Sequence, residues 1–217
     1  MNQKSALLIG ASGLTGSHLL KLLLNSSDYQ TVYVYSRRSL AIKHPKLFEL
    51  VIDFDQYDKA VLADDVFCCL GTTIKIAKTK EAFKKVDLEY PVKFAKLQFK
   101  NGSKQFLVIS AMAASADSLF FYSKVKAEME MQLSLIGYEN LCIFRPALIT
   151  GNRKEHRSAE KIAASINGIL NHILLGPLKK FQSVSAHAIS KCMLFYAREQ
   201  NTIGKRIIQS DSIKNFE

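Results

Sequence analysis

Tyr122 and Lys126 stand four residues apart in the stretch Phe121-Tyr-Ser-Lys-Val-Lys126. On a helix this spacing puts both side chains on one face. Because a neighbouring ammonium stabilises a phenolate, we expect the pKa of Tyr122 to fall towards the working pH. Such a tyrosine can donate or accept the proton when a hydride moves to or from a carbonyl carbon. Taken alone, the pair is better explained as an ordinary helix surface, so its context has to decide.

A glycine-rich turn near the start of the chain supplies that context, in the form Gly10-Ala-Ser-Gly13-Leu-Thr-Gly16. It follows the apolar run 6–9 and precedes the apolar-periodic stretch 14–24, which is the order strand, turn, helix. Glycines let the backbone turn tightly and approach a pyrophosphate closely. The N–H groups at the start of the helix then face the phosphates. The turn therefore predicts a dinucleotide site.

Apolar runs and helical periodicity alternate along the rest of the chain. Further strands are predicted at residues 31–35, 50–54, 65–70, 105–109 and 141–144. Helices are predicted from Thr79 to about Lys100 and over 119–136. This alternation predicts an α/β fold with a Rossmann-like, doubly wound parallel sheet.

The length of 217 residues favours one domain over 1–217. After residue 151 the pattern changes, and we expect 152–217 to be a short C-terminal extension that covers the substrate side. It would contain a charged loop at 152–160, helices at 162–175 and 186–199, and a last strand at 206–209. The apolar stripe on the first of these helices favours a lid or a packed core helix, with a membrane or partner surface as the alternative.

Together these motifs resemble the short-chain dehydrogenase/reductases, in particular the atypical members with a Gly-x-x-Gly-x-x-Gly turn. Within that group the chain is similar to the Tat-interacting-protein-like, NmrA-related NAD(P)-binding oxidoreductases. The matching stretches follow one another in the expected order, at residues 10–16, 36–38, 69–73, 86–87, 108–110, 122–126 and 144–146.

The resemblance implies a role for each matching residue. Those expected to cradle the pyrophosphate are Gly10, Ser12, Gly13, Leu14, Thr15 and Gly16. Those expected along the rest of the cofactor are Asp53 and Phe54 near the adenine, Leu70, Gly71 and Thr72 on the nicotinamide-ribose side, and Arg145 and Pro146 beside the nicotinamide and substrate. Tyr122 would be the general acid/base, and Lys126 would hold the ribose hydroxyls and lower the tyrosine pKa.

Ser110 has two possible roles. Enzymes of this kind place a Ser or Thr after the strand to hydrogen-bond the substrate carbonyl, and Ser110 stands twelve residues before Tyr122, close to the spacing in one branch of the family. In the other branch the hydroxyl comes two residues later, where this chain has Met112. Ser110 is therefore either catalytic or a strand-end residue near the cofactor, and we favour the second role.

The end of the second predicted strand bears on the choice of cofactor. An acidic residue there would accept hydrogen bonds from the ribose and repel a 2′-phosphate, but Ser36 is followed by Arg37 and Arg38. A guanidinium can pair a phosphate bidentately, and Ser36 can donate to it. Two solvated arginines are the alternative. We expect NADP(H) to be favoured over NAD(H), with Arg37 as the main phosphate partner.

Composition limits the other function classes. The net charge is +11, but the 30 basic residues are dispersed, so solvated lysines explain the charge more simply than nucleic-acid binding does. The four cysteines form no CxxC pair, which predicts reduced thiols and a cytoplasmic protein without a metal site. No apolar run approaches a membrane span. We expect a small-molecule substrate and a monomer or homodimer.

Two functions remain. The first is an NADP(H)-dependent oxidoreductase or epimerase-like enzyme acting at a carbonyl or alcohol carbon, which the Tyr122–Lys126 pair favours. The second is a regulatory NADPH-sensing protein with little or no turnover, which the displaced serine and the short tail favour.

Overall fold

The central sheet can be followed through a computed structural model that describes residues 4–151, 182–199 and 203–217. The predicted loop at 152–160 and helix at 162–175 lie outside the described residues. Within the described parts of the chain, no helix has the length and apolar character that crossing a bilayer requires.

Seven parallel strands form the main sheet. In chain order these strands are β1 (Lys4–Ile9), β2 (Tyr29–Ser36), β3 (Leu47–Val51), β4 (Asp65–Cys68), β5 (Gln105–Ile109), β6 (Asn140–Arg145) and β9 (Gly204–Gln209). Two short strands lie between β6 and β9 in the chain, β7 (Ile149–Thr150) and β8 (Val184–Ser185). The order in space is β3-β2-β1-β4-β5-β6-β9, while β7 and β8 pair separately. The predicted Rossmann-like parallel sheet is confirmed, and the order reverses between β1 and β4, where such sheets bind ligands.

Helices cover both faces of the sheet. They are α1 (Leu14–Asn25), α2 (Ile74–Ala77), α3 (Lys80–Lys84), α4 (Tyr90–Lys100), α5 (Phe121–Ser134), α6 (Ala186–Arg198) and α7 (Ser210–Lys214). Alternate side chains of β1 enter opposite cores: Ala6 and Leu8 pack with α1 and α6, while Leu7 and Ile9 pack with α3, α4 and α5. This period of two fixes both helical layers against one strand.

The helix predicted from Thr79 is interrupted by one π-helical turn, Lys85–Glu89, between α3 and α4. The Thr79 hydroxyl oxygen accepts the Ala82 N–H at 3.1 Å and begins α3, as predicted. Pro91 has no N–H, and its ring would crowd the carbonyl group four residues earlier, at Asp87. The backbone instead widens, and the Tyr90 N–H bonds to the Lys85 carbonyl. Asp87 consequently lies in the widened turn.

The predicted third strand begins and ends earlier in the chain than expected. The third strand was predicted at 50–54 but is Leu47–Val51, because Val32 to Ser36 of β2 pairs with those residues. Phe54 instead turns inward and packs against Phe94 at 5.0 Å between ring centroids. The predicted last strand and the helix before it are present as β9 and α6. β9 is an edge strand of the main sheet, and α6 packs against α1. This part of the tail therefore contributes to the core of the protein, in addition to any covering of the substrate side.

Candidate functional site

The glycine turn packs tightly against the loop that follows β4. Gly10 has a φ of +91°, and a Cβ built there would lie 2.7 Å from the Cys69 carbonyl carbon. A Cβ on Gly16 would collide with the Gly10 carbonyl oxygen. The Gly13 N–H donates to that same oxygen at 3.0 Å. Only glycine fits these two positions, and the backbone stays open to a close approach from outside.

The first turn of α1 carries no carboxylate and no side-chain cap, since Gly13 is its N-cap residue. Its free N–H groups and the positive end of its dipole favour a phosphate. Ser12 is exposed beside it, Leu14 is half-buried and Thr15 is buried. The Thr15 carbonyl accepts the Ser190 hydroxyl at 3.0 Å, which fixes this turn to α6.

A chain of contacts joins this turn to α5. From Cys69, next to Gly10, the backbone continues through Leu70 and Gly71 to Thr72. The Thr72 N–H donates to Oδ2 of Asp87 at 2.8 Å. Oδ1 of Asp87 lies 2.7 Å from Nζ of Lys126. The structure thus brings the glycine turn and the Tyr122–Lys126 pair together at the carboxyl ends of β1, β4 and β5.

The Lys126 ammonium is held in a buried ion pair, with 4% of the Lys126 side chain and 1% of the Asp87 side chain exposed. Burial alone would lower the pKa of Lys126, but the charge of Asp87, followed by Tyr122, raises it above its usual value. Lys126 therefore stays charged, as its predicted role requires.

Tyr122 differs from its prediction in one respect. Its ring packs 5.6 Å from that of Phe83, between centroids, and 38% of the residue is exposed. Partial burial raises the pKa of Tyr122 above 10.0, Lys126 lowers it by less, and Asp87 raises it further. The expectation of a lowered pKa is wrong for the free protein, because burial and Asp87 together outweigh the neighbouring ammonium.

Ser110 takes part in a separate buried network with Glu130 and Arg145. The Ser110 hydroxyl donates to Oε1 of Glu130 at 2.5 Å. Arg145 donates from Nε to Oε1 at 2.9 Å and from Nη2 to Oε2 at 2.5 Å. Because the Glu130 carboxylate accepts these hydrogen bonds, it raises the pKa of Arg145. The network fixes the ends of β5 and β6 to α5, one helical turn beyond Lys126.

The next residues after β5 lie close to Pro146. The Met112 N–H donates to the Pro146 carbonyl at 3.0 Å, so this main-chain contact joins the two loops that follow β5 and β6. Pro146 is buried and Met112 is half-buried. Ser115, by contrast, is exposed just before α5, and its N–H donates to the Ser123 carbonyl at 3.3 Å.

At the other end of the site, Arg37 and Arg38 are both exposed, and neither forms an ion pair with any described residue. The Arg37 guanidinium carbon lies 6.0 Å from the centroid of the buried Phe54 ring. Asp53 is exposed, and its carboxylate accepts the Asp55 N–H at 2.9 Å. These side chains share the edge at which β2 and β3 end.

The Ser36 hydroxyl is not free for a phosphate, contrary to expectation. It donates to Oε1 of Glu49 on β3 at 2.9 Å. Glu49 also accepts the Ser39 hydroxyl at 3.1 Å and the Leu40 N–H at 2.8 Å. This carboxylate stabilises the loop that presents both arginines.

Asp87, Glu130 and Glu49 contact predicted site residues, and sequence reasoning gave them no role. Glu130 could have been found, since it lies four residues after Lys126 on the same helical face. Pro91, four residues after Asp87, is a weaker signal for the turn that carries that carboxylate. Glu49 has no comparable signal, because its partners come from another strand.

Three of the four cysteines, Cys68, Cys142 and Cys192, are buried in the core. Cys68 is fully buried, and burial raises the pKa of its thiol to about 12. All four cysteines are free thiols. Among the described residues, no three His, Cys, Asp or Glu side chains meet in a way that could hold a metal ion.

Known proteins resemble this chain in sequence. No family model matches the chain. Protein HTATIP2 of Rattus norvegicus is 36% identical over 177 residues, which are 78% of this chain and 73% of the rat protein. The chain belongs to the HTATIP2, or Tat-interacting-protein-like, family. The family resemblance of its motifs is thereby confirmed.

The HTATIP2 family match extends to fungal proteins. Protein FMP52, mitochondrial, of Candida albicans is 31% identical over 204 residues, which are 90% of this chain and 88% of that protein. Its name places that relative in the mitochondrion, so the predicted cytoplasmic location is not confirmed.

Solved structures share the fold. MoeE5 in complex with UDP-glucose and NAD has a TM-score of 0.69 and 17% identity, covering 94% of this chain and 76% of that one. Human epimerase family protein SDR39U1 with NADPH has a TM-score of 0.61 and 16% identity, covering 94% and 74%. At these identities the likeness supports the Rossmann-like architecture.

Proposed function

We propose that this protein is an NADP(H)-dependent oxidoreductase or epimerase-like enzyme that moves a hydride to or from a carbonyl or alcohol carbon of a small molecule. One observation carries the proposal: Asp87 joins the loop behind the glycine turn to the helix that bears Tyr122 and Lys126. A binding cradle and a proton-transfer pair thus occupy one edge of the sheet. The NAD and NADPH in the two neighbouring structures support a nicotinamide cofactor.

The residues of the turn fit such a cofactor. The two glycine positions that no side chain could occupy leave backbone N–H groups for a pyrophosphate. Leu70, Gly71 and Thr72 would line the nicotinamide-ribose side, and Arg145 and Pro146 the far side. When bound, the nicotinamide supplies or accepts the hydride.

Tyr122 handles the proton in this scheme. Its raised pKa keeps the hydroxyl protonated near neutral pH in the free protein, so it is ready to act as the acid in carbonyl reduction. The Lys126 ammonium would hold ribose hydroxyls and stabilise the phenolate formed as the proton leaves. Asp87 is a positioning residue, because it fixes Lys126 and the loop at Thr72 together.

We assign Ser110 to positioning rather than to contact with the substrate. Its hydroxyl already donates to Glu130, and the residue is only 3% exposed. The exposed Ser115 hydroxyl is the alternative group for orienting a substrate oxygen.

Selectivity for the 2′-phosphate would come from Arg37, with Arg38 supporting the adenine by stacking or charge. Glu49 holds their loop with three hydrogen bonds, and the guanidinium groups are unpaired among the described residues. A bidentate guanidinium–phosphate contact suits this arrangement. Asp53 and Phe54 would border the adenine from the neighbouring strand end.

We also propose that residues 1–217 form one domain, acting as a monomer or homodimer on a small molecule. The four reduced thiols favour the cytoplasm, and the name of the fungal relative makes the mitochondrion the alternative compartment.

A binding titration tests the proposal. Purified protein is titrated with NADPH and NADH, alongside Arg37→Ala and the control Lys43→Ala, which removes an equal charge from an exposed neighbouring loop position. We expect NADPH to bind more tightly than NADH, and Arg37→Ala to weaken NADPH about 10- to 100-fold. NADH and the control should change little. Failure to bind either cofactor would overturn the proposal.

A second candidate is an NADPH-sensing protein with little or no turnover. The engagement of Ser110 by Glu130 and the presence of Met112 two residues later favour it. Screening carbonyl compounds with wild type and Tyr122→Phe separates the two. Turnover that Tyr122→Phe loses supports the enzyme, whereas tight NADPH binding with no turnover across the screen supports the sensor.

A further inference from the structure

Beside the site, four apolar side chains are exposed among unpaired lysines. We call this surface the basic apolar rim. Its members are Ile74, Lys75, Ile76, Lys78, Lys80, Leu119, Phe120 and Lys124. Leu119 is 95% exposed and Phe120 is 75% exposed. Large apolar side chains clustered at such exposure mark an interaction surface.

The two segments of the rim meet at the carboxyl edge of the sheet. One follows β4 and the other precedes α5 after the neighbouring strand β5. Nζ of Lys80 lies 5.5 Å from the centroid of the Phe121 ring. The Phe83 ring lies 5.8 Å from that same ring. α3 therefore packs on the start of α5, and the apolar side chains lie on neighbouring segments.

The charge of the rim is strongly one-sided. Its four lysines form no ion pair with any described residue, and residues 73–80 contain no carboxylate. Asp117 is the single acidic residue of 115–124. The backbone of Lys78 has a φ of +69°, a region that favours glycine. The chain therefore keeps a lysine at a position where its backbone is strained.

We propose that the basic apolar rim docks this protein peripherally on an anionic lipid surface. Apolar tips between lysines fit a bilayer interface, where side chains enter the acyl boundary while ammonium groups contact anionic headgroups. A second copy of the chain fits less well, because protein interfaces are depleted in lysine. Tyr122 stands two residues after Phe120, so docking brings the candidate site next to the lipid. This surface does not depend on the proposed enzymatic function.

Vesicle sedimentation with the full chain tests the docking. The vesicles contain phosphatidylcholine alone or phosphatidylcholine mixed with phosphatidylserine. We expect binding to the mixed vesicles, weakened by salt, and little binding to the neutral ones. The charge variant Lys75→Gln/Lys78→Gln should weaken binding about fivefold for each lysine removed. Its control is Lys100→Gln/Lys104→Gln, which makes the same charge change at the opposite edge of the sheet.

The apolar contribution has its own variant. Leu119→Ser/Phe120→Ser should reduce binding, while Leu135→Ser, 80% exposed at the other end of α5, should not. These positions are exposed, so the fold should survive, and thermal unfolding checks this. No binding to mixed vesicles, or equal weakening by rim and control variants, overturns the proposal. So does self-association that the rim variants abolish without any vesicle binding, which would assign the rim to a second copy.

Discussion

The Lys126 ammonium lies 2.7 Å from Oδ1 of Asp87, and both side chains are buried. The other oxygen of the same carboxylate accepts the Thr72 N–H. One carboxylate therefore ties the helix that carries Tyr122 to the loop expected along the cofactor. Its position depends on the π-helical turn that Pro91 favours.

Removing Asp87 should destabilise the protein strongly. Asp87→Ala leaves the Lys126 charge buried without a partner, which typically costs about 3–5 kcal/mol. Replacing both partners with apolar residues, in Asp87→Leu/Lys126→Met, should recover much of that loss. The measurement is the free energy of unfolding in urea for wild type, Asp87→Ala, the two single variants Asp87→Leu and Lys126→Met, and the double variant that combines those two. Costs that simply add would show that the two groups do not interact.

The pH at which the Tyr122 hydroxyl ionises reports on the charges around it, independently of how stable the protein is. Burial raises its pKa above 10.0, and the Asp87 charge contributes to the rise. The phenolate absorbance of wild type minus that of Tyr122→Phe should therefore stay flat through neutral pH and rise at a higher pH than that of an ordinary exposed tyrosine. Asp87→Asn should move the rise towards lower pH, because it removes an anion near the hydroxyl. A phenolate appearing near neutral pH in the free wild-type protein would contradict this.

Local signals were sufficient for much of the fold. The glycine turn between an apolar run and an amphipathic helix predicted β1 and α1, and Thr79 marked the start of α3. The displacement of β3 could not be predicted in the same way. It depends on pairing with β2 and on Phe54 packing against Phe94, which are contacts between segments distant in sequence.

In the candidate site, too, the features set by local sequence were predicted, and those set by contacts between distant segments were not. The spacing of Tyr122 and Lys126 is a property of one helix, so the sequence predicted that they share a face. Their electrostatics depend on Asp87 from another element and on burial, and the sign of the Tyr122 pKa shift was wrong for that reason. Ser36 likewise lost its predicted freedom to a carboxylate from the neighbouring strand.

The roles of Ser110 and Tyr122 should separate in a single experiment. With a substrate found by screening, Tyr122→Phe should lower kcat about 100- to 10,000-fold, as loss of a general acid does. Ser110→Ala removes a hydrogen bond to a charged group and should cost about 1.5–3 kcal/mol of stability. Its kcat loss should be smaller than the 100- to 1,000-fold that removing an oxyanion donor typically gives, about 2.7–4 kcal/mol. Ser115→Ala is the comparison, and a full loss in Ser110→Ala would make Ser110 the substrate-orienting group.

The glycine cradle can be tested through its most crowded position. A Cβ on Gly16 would meet the Gly10 carbonyl oxygen, so Gly16→Ala must displace the turn and should cost at least about 1–3 kcal/mol of stability. It should also abolish detectable NADPH binding, because the displaced N–H groups no longer converge on a phosphate. Gly102→Ala is the control, since it strains a glycine with a φ of +93° in the turn between α4 and β5, at the opposite edge of the sheet, and should lower stability without weakening NADPH binding. Thermal unfolding and NADPH titration of both variants make the measurement, and a Gly16→Ala protein that binds NADPH like wild type would rule out this turn as the pyrophosphate site.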